Sequence, residues 1–205
     1  MPFLAPSIPP ETGASIKYLP CKNNNSSNNI QLLHTGRIAE GKGQIDAIKA
    51  CRVLVENNIY FHLNIVGGYE DKEYNNIFLN FYKTVPYKNC IDIIGHVDNI
   101  MDFIEHSNIF IFPSYGEGFG NSFAEALSAG LVCICYDNTT FKEFKKLGFY
   151  IHIVKDRDIN NLQEKLLYVV KNRIYEQEKS KKNIDLVKRL FNEKNEINSY
   201  LDILT

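Results

Sequence analysis

Tryptophan is absent from this 205-residue chain, and methionine occurs only twice. No apolar run approaches the roughly 20 residues that a helix needs to cross a bilayer, so a membrane-spanning reading is excluded. An excess of one charge is also lacking: 23 Lys and Arg stand against 24 Asp and Glu, a formal net charge of −1. With no long basic block, nothing in the chain forms a footprint for nucleic acid. Cysteine is sparse and odd in number, five in all, with no Cys-x-x-Cys pair and no Cys/His zinc spacing. The chain is too long to be a small disulfide scaffold, which points to a reducing, cytoplasmic setting. Cys133 and Cys135 alternate with Val132 and Ile134 and read as small hydrophobes, so no metal site is expected. The opening Met1 to Pro10 lacks the basic and apolar regions of a secretory leader.

What is present divides unevenly. Five of the seven prolines fall in the first thirty residues, followed by a polar run from Asn23 to Asn29. That composition cannot bury enough surface to fold, so residues 1–29 read as a linker or arm and 30–205 as one domain. From Ile30 on, short apolar runs at 30–35, 60–66, 90–94, 108–112, 131–136 and 150–154 alternate with helical patterns. The helices are expected at 71–84, 98–105, 122–129, 141–146 and 159–172, with a further one marked by Ile45, Ile48, Cys51, Arg52 and Val55. Runs that are apolar on successive residues suit strands buried on both faces. Strands alternating with helices predict the α/β class, a doubly wound Rossmann-like parallel sheet whose ligands sit at the carboxyl ends of the strands. The last pattern, 180–204, carries Ile184, Val187, Leu190, Ile197, Leu201 and Leu204 on one stripe and predicts a long C-terminal helix.

Two strand-to-helix junctions stand out. The first reads Thr35-Gly36-Arg37-Ile38-Ala39-Glu40-Gly41-Lys42-Gly43, and the second Pro113-Ser114-Tyr115-Gly116-Glu117-Gly118-Phe119-Gly120-Asn121. Glycines admit a ligand close to the backbone, and a helix N-terminus offers unpaired N–H groups to an anion. With Arg37 and Lys42 added, the chemistry suits a diphosphate, and in a doubly wound sheet both junctions can lie on one edge. Each has a plainer reading: glycines serve tight turns, and the two cations can be solvated charges. Ser122-Phe123-Ala124-Glu125 also matches a capping box, in which Glu125 returns to the Ser122 N–H. Glu117 has no such rival, because a carboxylate between glycines is neither a helix former nor a core residue. Asp156-Arg157-Asp158 matches a metal-holding Asp-x-Asp pattern, but Asp158 reads better as the cap of the helix that starts at Ile159.

The ordered set Gly36-Arg37 with Lys42-Gly43, Ile65-Val66-Gly67, Gly95-His96-Val97, Phe112-Pro113-Ser114, Glu117-Gly118-Phe119-Gly120 and Glu125-Ala126 resembles the C-terminal, donor-binding domain of the group-1 family of retaining GT-B glycosyltransferases. Its signature is the pair Glu117 and Glu125. The resemblance implies an enzyme that transfers a hexosyl group from a nucleotide sugar, such as a UDP- or GDP-sugar, to an acceptor in bacterial-type glycan or glycolipid synthesis. It implies Arg37 and Lys42 on the donor diphosphate and Glu117 at the transferred sugar, these three forming the catalytic set. It further implies Gly36, Gly118, Phe119, Gly120, Asn121 and Ser122 around phosphate and sugar, Glu125 on the ribose hydroxyls, and Val97 beside the base. No cofactor and no metal are implied.

In the family a second, N-terminal domain binds the glycan or lipid-linked acceptor, and here only the proline- and asparagine-rich arm stands in that place. The chain is thus expected to supply the donor half of a cytoplasmic enzyme, one compatible with peripheral association at the inner face of a membrane. The alternative expectation is a non-catalytic nucleotide-binding or regulatory fragment lacking the acceptor domain.

Overall fold

The structure, a computed structural model, describes residues 29–118 and 120–191. Each apolar run becomes a strand with ends within two residues of those expected: β1 (Ile30–Thr35), β2 (Phe61–Val66), β3 (Ile91–Gly95), β4 (Ile109–Phe112), β5 (Val132–Tyr136) and β6 (His152–Val154). All neighbours are parallel, in the order β3-β2-β1-β4-β5-β6. β4 and β5 are buried at every position, while the edge strand β3 alternates buried and exposed residues. Uninterrupted apolar runs therefore mark the strands covered on both faces.

Helices cover both faces of the sheet. On one lie α1 (Gln44–Ala50), α2 (Arg52–Glu56), α3 (Lys72–Thr84) and α7 (Ile159–Lys171), packed through Ile48, Leu54, Phe78 and Leu166 against Leu32, Leu63 and Ile134. On the other lie α4 (Met101–Glu105), α5 (Asn121–Ser128), α6 (Thr139–Lys146) and α9 (Lys182–Leu190), where Phe123, Phe141 and Phe144 pack with Phe110 and Cys133. Cys51, Cys133 and Cys135 are free and buried, and burial pushes all three thiols up. Among the described residues no helix is long and apolar enough to cross a membrane.

The helix pattern departs from expectation in three places, each for a local reason. The single helix expected after β1 breaks at Cys51, where Cys51 N–H donates to the Ile48 carbonyl and Leu54 N–H to that of Cys51, bonds of 3.1 and 3.0 Å that tighten the turn. Its buried ridge is Ala47, Ile48, Cys51 and Leu54, and Arg52 stands in solvent paired with Glu56 instead of covering apolar surface. α4 starts three residues later than expected because the Asn99 side chain accepts the Met101 N–H at 3.0 Å and holds an Asx turn.

A helix that the patterns did not mark precedes the C-terminal one. α8 (Arg173–Ser180) ends at Ser180, whose hydroxyl donates to the Gly130 carbonyl at 2.6 Å, and α9 then turns back onto α5 of the same domain. Asn183 fastens this return by accepting the Tyr150 N–H at 2.8 Å and donating to its carbonyl at 2.9 Å. Ile197, Leu201 and Leu204 of the expected stripe, and the expected arm through residue 28, lie outside the described residues. Asp158 caps α7 as read, accepting the Asn161 N–H at 3.0 Å.

One close approach sets the shape of the carboxyl edge. Gly43, at φ 79°, passes so near Pro113 that a Cβ would lie 2.0 Å from the Pro113 carbonyl oxygen. Gly43→Ala combines a strained backbone with a clash and is expected to lower unfolding free energy by at least about 2 kcal/mol in urea titrations. Gly116→Ala, whose Cβ meets open space, is expected to stay within about 0.5 kcal/mol of wild type.

Candidate functional site

The order of the sheet reverses between β1 and β4, which pair through Leu32 with Ile109 and Leu33 with Phe110. Chains leaving those two strands go to opposite faces, β1 to α1 and β4 to α5, so a crevice opens at their carboxyl ends. The two unusual junctions are the walls of this crevice. They touch through main chain, Tyr115 N–H donating to the Gly41 carbonyl at 2.8 Å. They also touch through charge, the Lys42 ammonium donating to Glu117 Oε1 at 2.9 Å. Ser114 Oγ lies 2.7 Å from the same carboxylate oxygen, closer than to the carbonyls of Gly41 and Gly116 at 3.3 and 3.2 Å. A hydroxyl has one proton, and the charge-assisted acceptor takes it.

The remaining expected residues distribute around this contact. Arg37 lies on the solvent side of the first turn, its guanidinium paired with Glu70 on the loop after β2. Gly36 follows β1, its N–H bound to the Val66 carbonyl at 2.9 Å, and its own carbonyl lies where a Cβ on Gly67 would come within 1.9 Å. A Cβ on Gly118 would meet open space, one on Gly120 would touch Phe123, Phe141 and Glu117, and Phe119 lies outside the described residues. Asn121 and Ser122 form the first turn of α5, whose first amides have no partner within the helix. Val97, just past β3, is half-buried on the apolar cluster that also carries Phe123 of α5.

The capping box does not form. The N-cap of α5 is Gly120 in the left-handed region with no side-chain bond, and Ser122 sits inside the helix. Gly120 starts the helix two residues earlier than the box requires, so Glu125 falls in the second turn and is exposed. No hydrogen bond or ion pair to its carboxylate is found among the described residues. Although the residue is exposed, nearby protein desolvates the carboxyl and pushes its pKa up.

Several side chains that sequence patterns did not mark hold the two turns in place. Thr140, in the first turn of α6, has its Oγ1 2.7 Å from the Glu117 carbonyl and 2.9 Å from that of Gly118. Asn138 caps α6 by accepting the Phe141 N–H at 3.0 Å and donates to the Ser114 carbonyl at 3.3 Å. Asp46 of α1 is buried and accepts from the Tyr115 and Tyr136 hydroxyls, both at 3.0 Å, tying the helix after the first turn to the second turn. Burial and the Asp46 charge push both phenols up, so they remain donors. Arg157 stacks over the outer face of Tyr115, 4.4 Å from the ring centre, and Tyr136 lies 6.0 Å away from it by centroids.

His34, at the end of β1, is fully buried, and its Nε2 lies 2.9 Å from the Lys42 carbonyl. A carbonyl only accepts, so Nε2 carries the proton and Nδ1 is bare. Gln44 is likewise fully buried and donates to the Arg37 carbonyl at 2.8 Å. A polar residue inside an apolar strand run was the available signal for His34; Gln44 left none.

Taken together, these features define a doubly wound α/β domain with a crevice at its switch point, walled by two glycine-rich turns. The model of the family described as glycosyl transferases group 1 matches residues 18–195, and the chain belongs to that family. The fold is that of the C-terminal half of GT-B enzymes. The chain is 26% identical over 140 residues to the capsular polysaccharide biosynthesis glycosyltransferase CapM of Staphylococcus aureus, covering 68% of this chain and 36% of CapM. It therefore spans only about a third of the length of such relatives. Among solved structures it resembles Anabaena HepE in complex with UDP and glucose, with a TM-score of 0.75 and 15% identity over 87% of this chain and 49% of that one. It also resembles the C-terminal domain of a group 1 glycosyl transferase from Francisella tularensis, with a TM-score of 0.69, 18% identity, and 80% of this chain and 87% of that domain covered.

Burial lowers the His34 pKa to about 4, against the raising effects of its bond to the Lys42 carbonyl and the Glu117 charge, with the Lys42 charge lowering it further. The unfolded chain holds this imidazole near pKa ~6.5, so on acidification the unfolded state takes the proton first. The resulting stability is complete above about pH 6.5 and is lost as pH falls toward 4, with a slope approaching ~1.4 kcal/mol per pH unit. His152, whose pKa burial also lowers, acts with the same sign. Comparing denaturation of wild type and His34→Phe between pH 7 and 4.5 should isolate the His34 part as a shallower loss in the variant.

Proposed function

We propose that this domain binds the nucleotide-sugar donor of a retaining, metal-independent glycosyl transfer and carries the groups that stabilise the departing diphosphate. The observation that carries this reading is the meeting of Lys42 with Glu117 at the switch point, beside the N-terminus of α5. In it, Lys42, Arg37 and the α5 amides, together with the Gly36 backbone, surround the diphosphate. Glu117, held by Ser114 and Lys42, accepts hydroxyls of the transferred sugar; Glu125 accepts the two ribose hydroxyls, and Val97 lies by the base. UDP in the related HepE structure and the polysaccharide role of CapM support a UDP-sugar and a glycan acceptor.

The chemistry needs no protein nucleophile. As the bond from the anomeric carbon to the diphosphate oxygen breaks, the acceptor oxygen bonds to that carbon on the same face. The leaving oxygen takes the acceptor's proton. Charge builds on the diphosphate and, with opposite sign, on the sugar ring. Lys42 and Arg37 answer the first and Glu117 the second. Arg37 must leave Glu70 to do so, an exchange between partners of an exposed pair that costs little. Closure over the donor, and the acceptor itself, come from a second domain.

Calorimetric titration with UDP, GDP and their sugars tests the reading. Arg37→Ala and Lys42→Ala are each expected to weaken diphosphate binding about tenfold or more, since a charge-assisted contact supplies ~1.5–3 kcal/mol. Glu117→Gln should leave UDP affinity near wild type but lower transfer at least about a hundredfold when an acceptor domain is supplied. Transfer that survives EDTA is expected of the same preparation. A wild-type chain that binds none of these ligands, or cation variants with undiminished affinity, would sink the proposal.

A further inference from the structure

The turn from Gly36 to Gly43 carries both cations of the donor site, and their charged ends lead to different flanks. Lys42 reaches Glu117 on the far turn, and Arg37 lies beside Glu70 on the loop after β2. The backbone between them includes Gly41, in the left-handed region, and apart from the single bridge of Ile38 to Tyr69 is not part of a helix or strand. Such a segment needs external anchors to keep two side chains aimed.

Two buried side chains supply separate anchors. His34 Nε2 donates to the carbonyl of Lys42 itself at 2.9 Å, and Gln44 Nε2 donates to the carbonyl of Arg37 itself at 2.8 Å, reaching Gly36 only at 3.5 Å. Both side chains are wholly buried, and each leaves its other polar atom, His34 Nδ1 and Gln44 Oε1, without a partner among the described residues. Packing alone would favour an apolar residue at either position, because a buried polar atom with no partner loses its hydration without return. What each group gains is one bond to the main chain of one cation. The ring of His34 is also fixed, tilted against Phe112 with centroids 5.5 Å apart.

Resting on the donor-site reading above, we propose that His34 and Gln44 are positioning residues that aim the two cations independently, His34 setting Lys42 and Gln44 setting Arg37. Neither touches the ligand. His34 acts from the strand, with the ring wedged between Phe112 and the turn, and Gln44 acts from the first residue of α1, reaching back across the turn it follows.

Double-mutant cycles on the full chain test this, with UDP affinity read by calorimetry and folding by thermal melts. His34→Phe keeps an aromatic ring but cannot donate, and is expected to weaken UDP binding five- to tenfold. In a Lys42→Ala background the same change should matter less than twofold, whereas in Arg37→Ala it should keep its full effect. Gln44→Leu should show the reverse, silent with Arg37→Ala and fully felt with Lys42→Ala. A general loosening of the turn predicts equal losses in both backgrounds, and that result would overturn the proposal, as would a His34→Phe chain that binds UDP like wild type.

If His34→Phe does not fold, His34→Gln decides, since its amide can donate where Nε2 did; wild-type affinity supports the proposal and a tenfold loss refutes it. Should the wild-type chain bind no nucleotide, the donor reading fails but the anchors remain testable by amide hydrogen exchange. His34→Phe is then expected to speed exchange at Lys42 and not at Ile38, and Gln44→Leu at Ile38 and not at Lys42. Uniform acceleration across the turn overturns the inference.

Discussion

The crevice depends on how closely two main chains approach where the sheet changes direction. β1 and β4 run side by side, and the helices that follow them belong to opposite faces, so the chain must part at their carboxyl ends. How far it parts is set by Gly43 against the Pro113 carbonyl and by the bond from Tyr115 N–H to the Gly41 carbonyl. A side chain at position 43 would push the turns apart. With only hydrogen there, Lys42 and Glu117 come within a single hydrogen bond of one another, and α5 begins shortly after Glu117 on the same turn.

Around that contact the protein keeps charge near the opening and neutral donors beneath it. His34, neutral through the physiological range because burial disfavours its charged form, and Gln44 hold carbonyl oxygens from below. Asp46 is the exception, a buried carboxylate that shares two tyrosine protons and so binds α1 to the second turn and to β5. Thr140 and Asn138 hold the second turn from the α6 side. Much of the ordering of the Lys42–Glu117 contact is thereby done within the fold itself.

The strands were legible because their signal is local: successive apolar residues of the right length say both that a strand forms and that two faces cover it. Helix starts were less so. At α4, Asn99 bonds the backbone and delays the helix; at Cys51, short-range bonds break one; at α5, Gly120 takes the capping position from Ser122. Glu117 stood out because a carboxylate between glycines suits neither a helix nor a core, and the cap Asp158 was legible because its spacing to Asn161 is that of a cap. Thr140, Asp46 and Gln44 were not, since each meets a backbone oxygen or hydroxyl whose position depends on distant chain or on the path of a turn.

By itself the amino-acid order determined the parallel α/β layout, the two glycine-rich junctions and the charged residues within them, all of which follow from spacing along a few neighbouring residues. It also carried the family, since six short motifs in a fixed order are a linear property. Only the tertiary structure decided that Lys42 meets Glu117, that Glu125 does not cap its helix, and that buried donors hold the cationic turn from beneath. Those outcomes join positions up to 75 residues apart in the chain. Which atoms meet across such separations is fixed by strand order and backbone approach, and no local pattern carries that information.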